Sequence, residues 1–372
     1  MVGLGSNDSL RGIFSTIFQE HFSLTTTQLG LIVTASYIGN LVFLLVGGNL
    51  STRFSKKRVL QVLILIWMAA LALFAFTSNY TVLLIGMALA LGSSTLLNTT
   101  MNLITPLLFA TAPGFFVNFL FFTQEIGTSG SQYILGSHAD GFAFWQHTNL
   151  VLLILGAVAF VLLLFCNVPE EAAAPADAPA QKGGYDWRII VPYVLVFGFY
   201  FIAEHGVMNW MVAYGVDGLG LPQASAAKYL SVFFGGMMIG RLCLSPLVDK
   251  LGALKSLAAF GGVSCVLYLI GSLGGAVTMP VWAISGLSFS ILYPTLVMSI
   301  RLYFPAQQVS GAAGTILSIA SLADILFNVG FGKLVDMAGY AVSIRVLPLS
   351  ALAFFIVFML FTKFCKPTQK LK

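Results

Sequence analysis

Charge is what this chain has least of. Of its 372 residues, 13 are acidic and 18 basic, 8% together, where a soluble domain carries roughly a quarter. That shortage excludes a water-facing surface of ordinary size. Cysteine is also sparse: Cys166, Cys243, Cys265 and Cys365 lie in or beside apolar stretches with no C-x-x-C or metal-ligand spacing, so they read as structural or incidental. A phosphate-binding glycine loop, a G-x-S-x-G elbow and an H-E-x-x-H motif are all missing, and His21, His138, His147 and His205 have no paired ligand spacing. Enzyme chemistry has no foothold here, and neither a cofactor nor a metal is expected.

What the chain has in abundance is apolar length. Hydrophobic residues make up 58% of it, and its mean hydropathy is +0.93. A bilayer core of about 30 Å takes about 20 apolar residues per helix. Helical spans by that ruler fall at 1–22, 29–50, 58–77, 80–105, 113–136, 148–167, 189–213, 226–248, 254–273, 277–300, 309–332 and 345–364. The expectation is an all-α membrane protein of twelve spans, with the lipid bilayer as its main solvent.

The longest polar interruption, 168–188, is rich in Ala, Pro and Gly and carries Glu170, Glu171, Asp177, Lys182 and Asp186. It cannot bury enough apolar surface to fold alone and reads as a flexible cytoplasmic linker. The expected division is a bundle at 1–167, the linker, and a second bundle at 189–372. Lys and Arg bias sets the orientation. Arg53, Lys56, Lys57 and Arg58 follow the second span, Lys250 and Lys255 the eighth, Arg301 the tenth, and Lys363, Lys366, Lys370 and Lys372 the last. All fall on one side, expected to be cytoplasmic with both termini. The net charge of +5 therefore describes membrane topology and gives no reason to expect nucleic-acid binding. Asp8 to Ser23 covers roughly 22 Å of helix, so the first span is expected to be incomplete at its N-terminus by one or two turns.

The two halves echo each other. Gly48-Asn49-Leu50-Ser51-Thr52-Arg53-Phe54-Ser55-Lys56-Lys57-Arg58 follows the second span, and Ser245-Pro246-Leu247-Val248-Asp249-Lys250-Leu251-Gly252-Ala253-Leu254-Lys255 follows the eighth. Both resemble the G-x-L-x-D-R-x-G-R-R-x loop of the major facilitator superfamily. Thr52 stands at the acid position of the first copy, while the second keeps Asp249. The resemblance implies two pseudo-symmetric six-helix bundles. It also implies charge contacts that gate the cytoplasmic side, for which Arg53, Arg58, Arg241, Asp249 and Lys250 are the candidates.

A closer resemblance runs through the polar residues inside the spans. The first carries Asn7-Asp8, then Phe18-Gln19-Glu20-His21-Phe22-Ser23-Leu24-Thr25 and Gln28-Leu29-Gly30-Leu31-Ile32. The fourth carries Leu97-Asn98-Thr99-Thr100-Met101-Asn102, similar to an L-E-T-A-A-N stretch. Trp210, Tyr214, Tyr229-Leu230, Ile239-Gly240-Arg241 and Tyr293-Pro294-Thr295 follow in order. Their order and spacing resemble the fucose–proton symporter family. That resemblance implies uptake of a neutral sugar or polyol with a proton, by alternating access about a central site, in a plasma membrane, bacterial inner membrane being the expected one. It implies a single-chain carrier whose partners are its small-molecule substrate and a proton, with sodium left open.

Departures from the family are as informative. Where the family's fourth span has a coupling carboxylate, this chain has Asn98, which cannot titrate. Glu204 stands at a family amide position, Glu125 beside another now held by Gln124, and Asp324 in a family run of glycines. Charged side chains near the centre of a membrane helix cost about 2.5 to 3.5 kcal/mol on insertion scales, so such residues usually face an aqueous path or a partner. Asp8, Glu125, Glu204 and Asp324 are therefore the candidates for proton coupling. For Asp8 an ion pair with Arg11, three residues on, stands beside the role of proton acceptor.

Helical spacing groups the polar residues into stripes. Thr95, Asn98, Asn102 and Thr105 share one face, as do Asn118, Glu125, Ser129 and Gln132, and Ser321, Asp324 and Asn328. Such stripes either bond helices together or line a path. Asn98, Asn102 and Gln124, with both donors and acceptors, are candidates for substrate contact. So are Trp210 and Tyr214, whose shared face suits stacking on a sugar or anchoring at a membrane interface. Two other classes stay open: a drug or metabolite antiporter of the same fold, and a non-transporting sensor, which loss of the acid at Asn98 favours.

Overall fold

The structure is a computed structural model that describes residues 1–109, 113–168 and 185–367, without the side chains of 45–53, 103, 106–107, 113–115, 117–118, 245, 249, 306–307 and 310–311. The side chains of Arg53, Asn118 and Asp249, and most of the expected linker 168–188, lie outside the described residues. Ten described helical stretches are long and apolar enough to cross a membrane. With the first span, built from two shorter helices, and the fifth, they account for the twelve expected. The chain divides into two compact units, Met1–Pro179 and Ala180–Lys372.

In the first unit α1 (Val2–Ile13) and α2 (Ser15–Phe22) form the first span, followed by α3 (Thr26–Arg53), α4 (Lys56–Phe76), α5 (Tyr80–Leu108), α6 (Pro113–Ile134) and α7 (Phe142–Phe165). Lipid offers backbone amides no partners, so each span must close its hydrogen bonds internally, and polar side chains cap the starts of α3, α4 and α5. Thr25 and Gln28 cap each other ahead of α3, the Thr25 amide donating to Gln28 Oε1 (2.9 Å) and the Gln28 amide to Thr25 Oγ1 (3.2 Å). Ser55 Oγ accepts from the Arg58 amide at the start of α4 (3.4 Å), and Asn79 Oδ1 from Thr81 and Val82 at the start of α5.

The first span breaks at Phe14, whose backbone leaves the helical region at φ −96° and ψ 9°. Just past the break Ser15 Oγ donates to the Gly12 carbonyl (2.8 Å), a local bond that competes with the regular ladder. Phe14 and Phe18 then close on the buried Trp145 of α7, at ring separations of 5.3 and 4.8 Å. The opposite side of α1 meets α6 almost backbone to backbone. A Cβ at Gly5 would overlap the Gln124 carbonyl, and one at Gly127 would overlap the Val2 carbonyl. Ser6 Oγ donates to the Gly127 carbonyl (3.4 Å) and Thr128 Oγ1 to that of Gly5 (3.3 Å). Small residues at this seam give membrane helices the close contact that hydrophobicity cannot supply in lipid. By contrast, only 22% of α7's apolar window is buried; Lys57 Nζ donates to its Leu164 carbonyl (2.9 Å).

The second unit comprises α8 (Trp187–Ala213), α9 (Gln223–Leu251), α10 (Ala253–Leu273), α11 (Met279–Ile284), α12 (Gly286–Phe289), α13 (Leu292–Ser299), α14 (Ala306–Ala338), α15 (Tyr340–Ser343) and α16 (Val346–Phe364). The span Met279–Leu302 is thus jointed. Serine hydroxyls at its joints turn back on the chain: Ser285 Oγ donates to the Trp282 carbonyl (2.6 Å) and Ser290 Oγ to that of Leu287 (2.7 Å). Gly286 lets this span lie against the Phe233 carbonyl of α9, and Gly271 of α10 meets the Trp282 backbone. α8 packs between α14 and α16. The first and fifth spans of each unit are thereby neighbours: α1 with α6, α8 with α14.

Candidate functional site

In the first unit a polar cluster forms where α1, α5 and α6 meet. Asp8 accepts from Ser94 Oγ (3.3 Å, to Oδ2) and from Asn7 Nδ2 (3.5 Å, to Oδ1). Gln124 also stands near enough to act on the charge of Asp8. Asn98 Nδ2 donates to Gln124 Oε1 (2.6 Å), and Asn102 Nδ2 donates to Asn98 Oδ1 (2.8 Å). The result is a directed row, Asn102 to Asn98 to Gln124, ending beside a carboxylate. The glycine seam is what permits it, because Gly5 stands about one turn from Asp8 and abuts the carbonyl of Gln124 itself.

Three sequence-derived substrate candidates, Asn98, Asn102 and Gln124, are therefore brought together with one coupling candidate, Asp8. Glu125 is not part of this row. It follows Gln124 by one residue, about 100° around α6, and is half-buried. Arg11 stands near enough to act on the charge of Asp8, and its guanidinium also lies 5.3 Å from the Tyr37 ring centroid. The ion-pair and proton-acceptor readings of Asp8 therefore both keep their structural basis.

The second unit holds a different arrangement. His205 Nδ1 and Asp324 Oδ2 are 2.6 Å apart, joining α8 to α14, with the imidazole side chain 27% exposed and the carboxylate 2%. Asn328 Nδ2 donates to the carbonyl (2.8 Å) and to Oδ1 (3.3 Å) of Asp324. Trp210 Nε1 in turn donates to Asn328 Oδ1 (3.0 Å). Sequence reasoning passed over His205 because its neighbour Glu204 drew the attention and its partner lies 119 residues away. The available signal was the Ser321, Asp324 and Asn328 stripe, which needed a polar face opposite it.

Glu204 lies on the same face of α8 as Tyr200, four residues back, and together with Arg241 it acts electrostatically on Tyr200 and Tyr293. Arg241, expected at the cytoplasmic gate, is placed inside α9 rather than at its end. It sits ten residues before the end of α9 at Leu251, about 15 Å of helix, where it and the half-buried Glu204 act on the same two tyrosines. Arg58 and Lys250 do lie at helix ends, in the first turn of α4 and the last turn of α9.

Trp210 and Tyr214 are also placed differently from a stacking platform. Trp210 is fully buried, against Phe331 at 4.8 Å, and Tyr214 is 4% exposed between Trp282 and Tyr340. Their shared face is filled by the protein, because α14 and the jointed span pack onto it. Among the described residues no group of three or more His, Cys, Asp or Glu side chains could hold a metal ion.

Comparison with known proteins gives the family and the fold. The profile of the Major Facilitator Superfamily matches residues 2–326. The L-fucose-proton symporter of Escherichia coli (strain K12) is 24% identical over 406 residues, covering 97% of this chain and 90% of its own length. The glucose/galactose transporter of Brucella abortus biovar 1 (strain 9-941) is 27% identical over 344 residues, covering 86% and 81%. Among solved structures, the D-xylose-proton symporter superposes with a TM-score of 0.78 at 16% identity, covering 99% of this chain and 96% of its own. At that identity the likeness speaks for the fold.

Proposed function

The chain belongs to the major facilitator superfamily, and from that premise we propose that it is a secondary carrier importing a small neutral sugar or polyol together with a proton, by alternating access. The carrying observation is the row of Asn102, Asn98 and Gln124 ending at Asp8. Primary amides both donate and accept, which suits a ligand whose hydroxyls do the same. A carboxylate at the end of the row couples the ligand to a proton: it is neutral when loaded and charged when empty, and a charge inside the membrane is costly. The names of the similar carriers, for fucose and glucose/galactose, support a sugar.

In this reading Asp8 is the coupling group of the first unit, with Asn98, Asn102 and Gln124 contacting substrate. Glu204, flanked by Tyr200, Tyr293 and Arg241, is the corresponding polar group of the second, and Glu125 serves as a further protonation site. Arg58 and Lys250 hold the cytoplasmic ends, with both termini on that side of the plasma membrane.

The test is uptake of labelled L-fucose, D-galactose, D-glucose and D-xylose into proteoliposomes, with and without an inward proton gradient and with sodium as the alternative ion. Accumulation that requires the proton gradient and is lost in Asp8→Asn supports the proposal. Export of a preloaded compound against proton entry favours an antiporter, and saturable binding without flux a sensor.

A further inference from the structure

We infer that His205 and Asp324 form a second proton-carrying pair, built into the second unit and independent of the Asp8 cluster. The inference rests on the reading of the chain as a proton-coupled carrier and names a group that reading does not use. Three observations carry it. The pair is in direct contact, 2.6 Å between Nδ1 and Oδ2, while its two members differ in exposure, 27% for the imidazole and 2% for the carboxylate. The accessible imidazole can exchange a proton with water, and the sheltered carboxylate holds the imidazole that carries it. A bond serving only to join helices gains nothing from that asymmetry.

The position repeats. In the first unit Asp8 lies where the first span is bonded to the fifth, α1 to α6, with Gln124 of α6 acting on its charge; in the second unit His205 of α8 meets Asp324 of α14, again first and fifth. Further, the carboxylate is supported from behind. Asn328, itself fully buried, donates to Asp324 Oδ1 and is held by Trp210, so the acceptor stays aimed at His205 whether or not the proton is present.

The step balances simply. One proton from water adds to a neutral imidazole beside an ionised carboxylate, giving a pair of no net charge; its departure restores the single negative charge. Nothing is oxidised, and no other group is consumed.

Other charged groups on the surrounding elements are few. On α8, Glu204 is adjacent but engaged toward Tyr200 and Tyr293 with Arg241 of α9, and Arg188 is at the far end. On α14, Lys333 and Asp336 follow Asp324 by nine and twelve residues, at least about 13 Å along the helix. Asp217 lies in the π-turn after α8, Arg301 in the 3₁₀ turn before α14 and Lys363 in the last turn of α16. Lys228 and Lys250 lie near the two ends of α9. Phe201 stacks on the imidazole at 5.2 Å.

The experiment compares wild type with His205→Gln and Asp324→Asn, both of which keep a hydrogen-bonding group, using labelled L-fucose and D-galactose in proteoliposomes. Gradient-driven accumulation and equal-pH exchange are measured separately. A readout independent of cargo accompanies them: ¹⁵N-histidine spectra of the purified carrier across pH, with the His205 signal assigned as the one missing from His205→Gln. Expected are accumulation reduced at least tenfold with exchange retained in both variants, and a pH-responsive His205 signal whose midpoint moves in Asp324→Asn. Accumulation equal to wild type, or accumulation and exchange lost together, overturns the inference. If neither sugar moves in wild type, the sugar reading fails by itself and the spectra decide: a His205 signal that ignores pH overturns the pair, and one that responds and depends on Asp324 sustains it.

Discussion

The α-carbon of Gly5 lies against the backbone carbonyl of Gln124, closer than any side chain would allow. That contact fixes the register of α1 on α6 at the residue whose amide accepts from Asn98 and stands beside Asp8. Packing and chemistry are therefore joined at one position of α6.

Substituting Gly5 tests the seam. Gly5→Ala places a methyl group into the carbonyl of Gln124 and is expected to destabilise by about 1–3 kcal/mol, the usual cost of overpacking. Gly130→Ala, on the same helix, meets open space and is expected to be neutral or slightly stabilising. Thermal unfolding of the detergent-solubilised carrier, followed by size exclusion, separates the two; equal melting temperatures would remove the seam from the argument.

The amide row should respond as a unit. Gln124→Ala deprives Asn98 Nδ2 of its acceptor, and a lost hydrogen bond of about 1.4 kcal/mol corresponds to about a tenfold rise in the half-saturation concentration. Asn98→Ala is expected to do the same, and the double variant to fall short of the product of the two. Transport kinetics of the three variants measure this coupling; strict multiplicativity would mean that the two side chains act separately.

Trp210 gives a separable outcome. Trp210→Phe keeps an aromatic ring beside Phe331 and removes the donor to Asn328, leaving a buried acceptor short of one partner at about 1–3 kcal/mol. A lower melting temperature with less than a twofold change in half-saturation is expected. A large rise in half-saturation at unchanged stability would return Trp210 to the substrate.

Glu204 and Arg241 should compensate each other. Neutralising either one leaves the other's charge in surroundings of Tyr200 and Tyr293, whereas Glu204→Gln with Arg241→Gln removes both. The double variant is expected to be more stable than the less stable single variant by about 1 kcal/mol or more. Additive melting shifts across the four proteins would show that the two charges do not interact.

Much of this was legible in the sequence, and what was missed has a common cause. Apolar length located the spans, since lipid leaves the backbone few choices, and helical spacing correctly put Asn98 and Asn102 on one face, where they bond. Periodicity gives faces but not the helix each face meets. It could not choose between Gln124 and Glu125, nor find Asp324 opposite His205, nor foresee that Trp210 and Tyr214 would be covered by α14 and the jointed span. The breaks at Phe14 and within Met279–Leu302 were also hidden, because hydropathy does not register a serine hydroxyl turning back onto its own helix. Glycines 5, 127, 271 and 286 marked the close approaches in plain view, each needing its partner to be interpreted.

α7 turns most of its surface to the bilayer. Its 24 residues, Phe142–Phe165, span about 36 Å against a hydrocarbon thickness of about 30 Å, and most of its surface faces outward from the first unit. The surplus has to be taken up by tilt or by local thickening of the lipid. Because Phe14 and Phe18 clamp the first span onto Trp145 of this helix, a change in acyl-chain length would be felt at the helix that bears Asp8, making lipid thickness a tuning variable for the carrier.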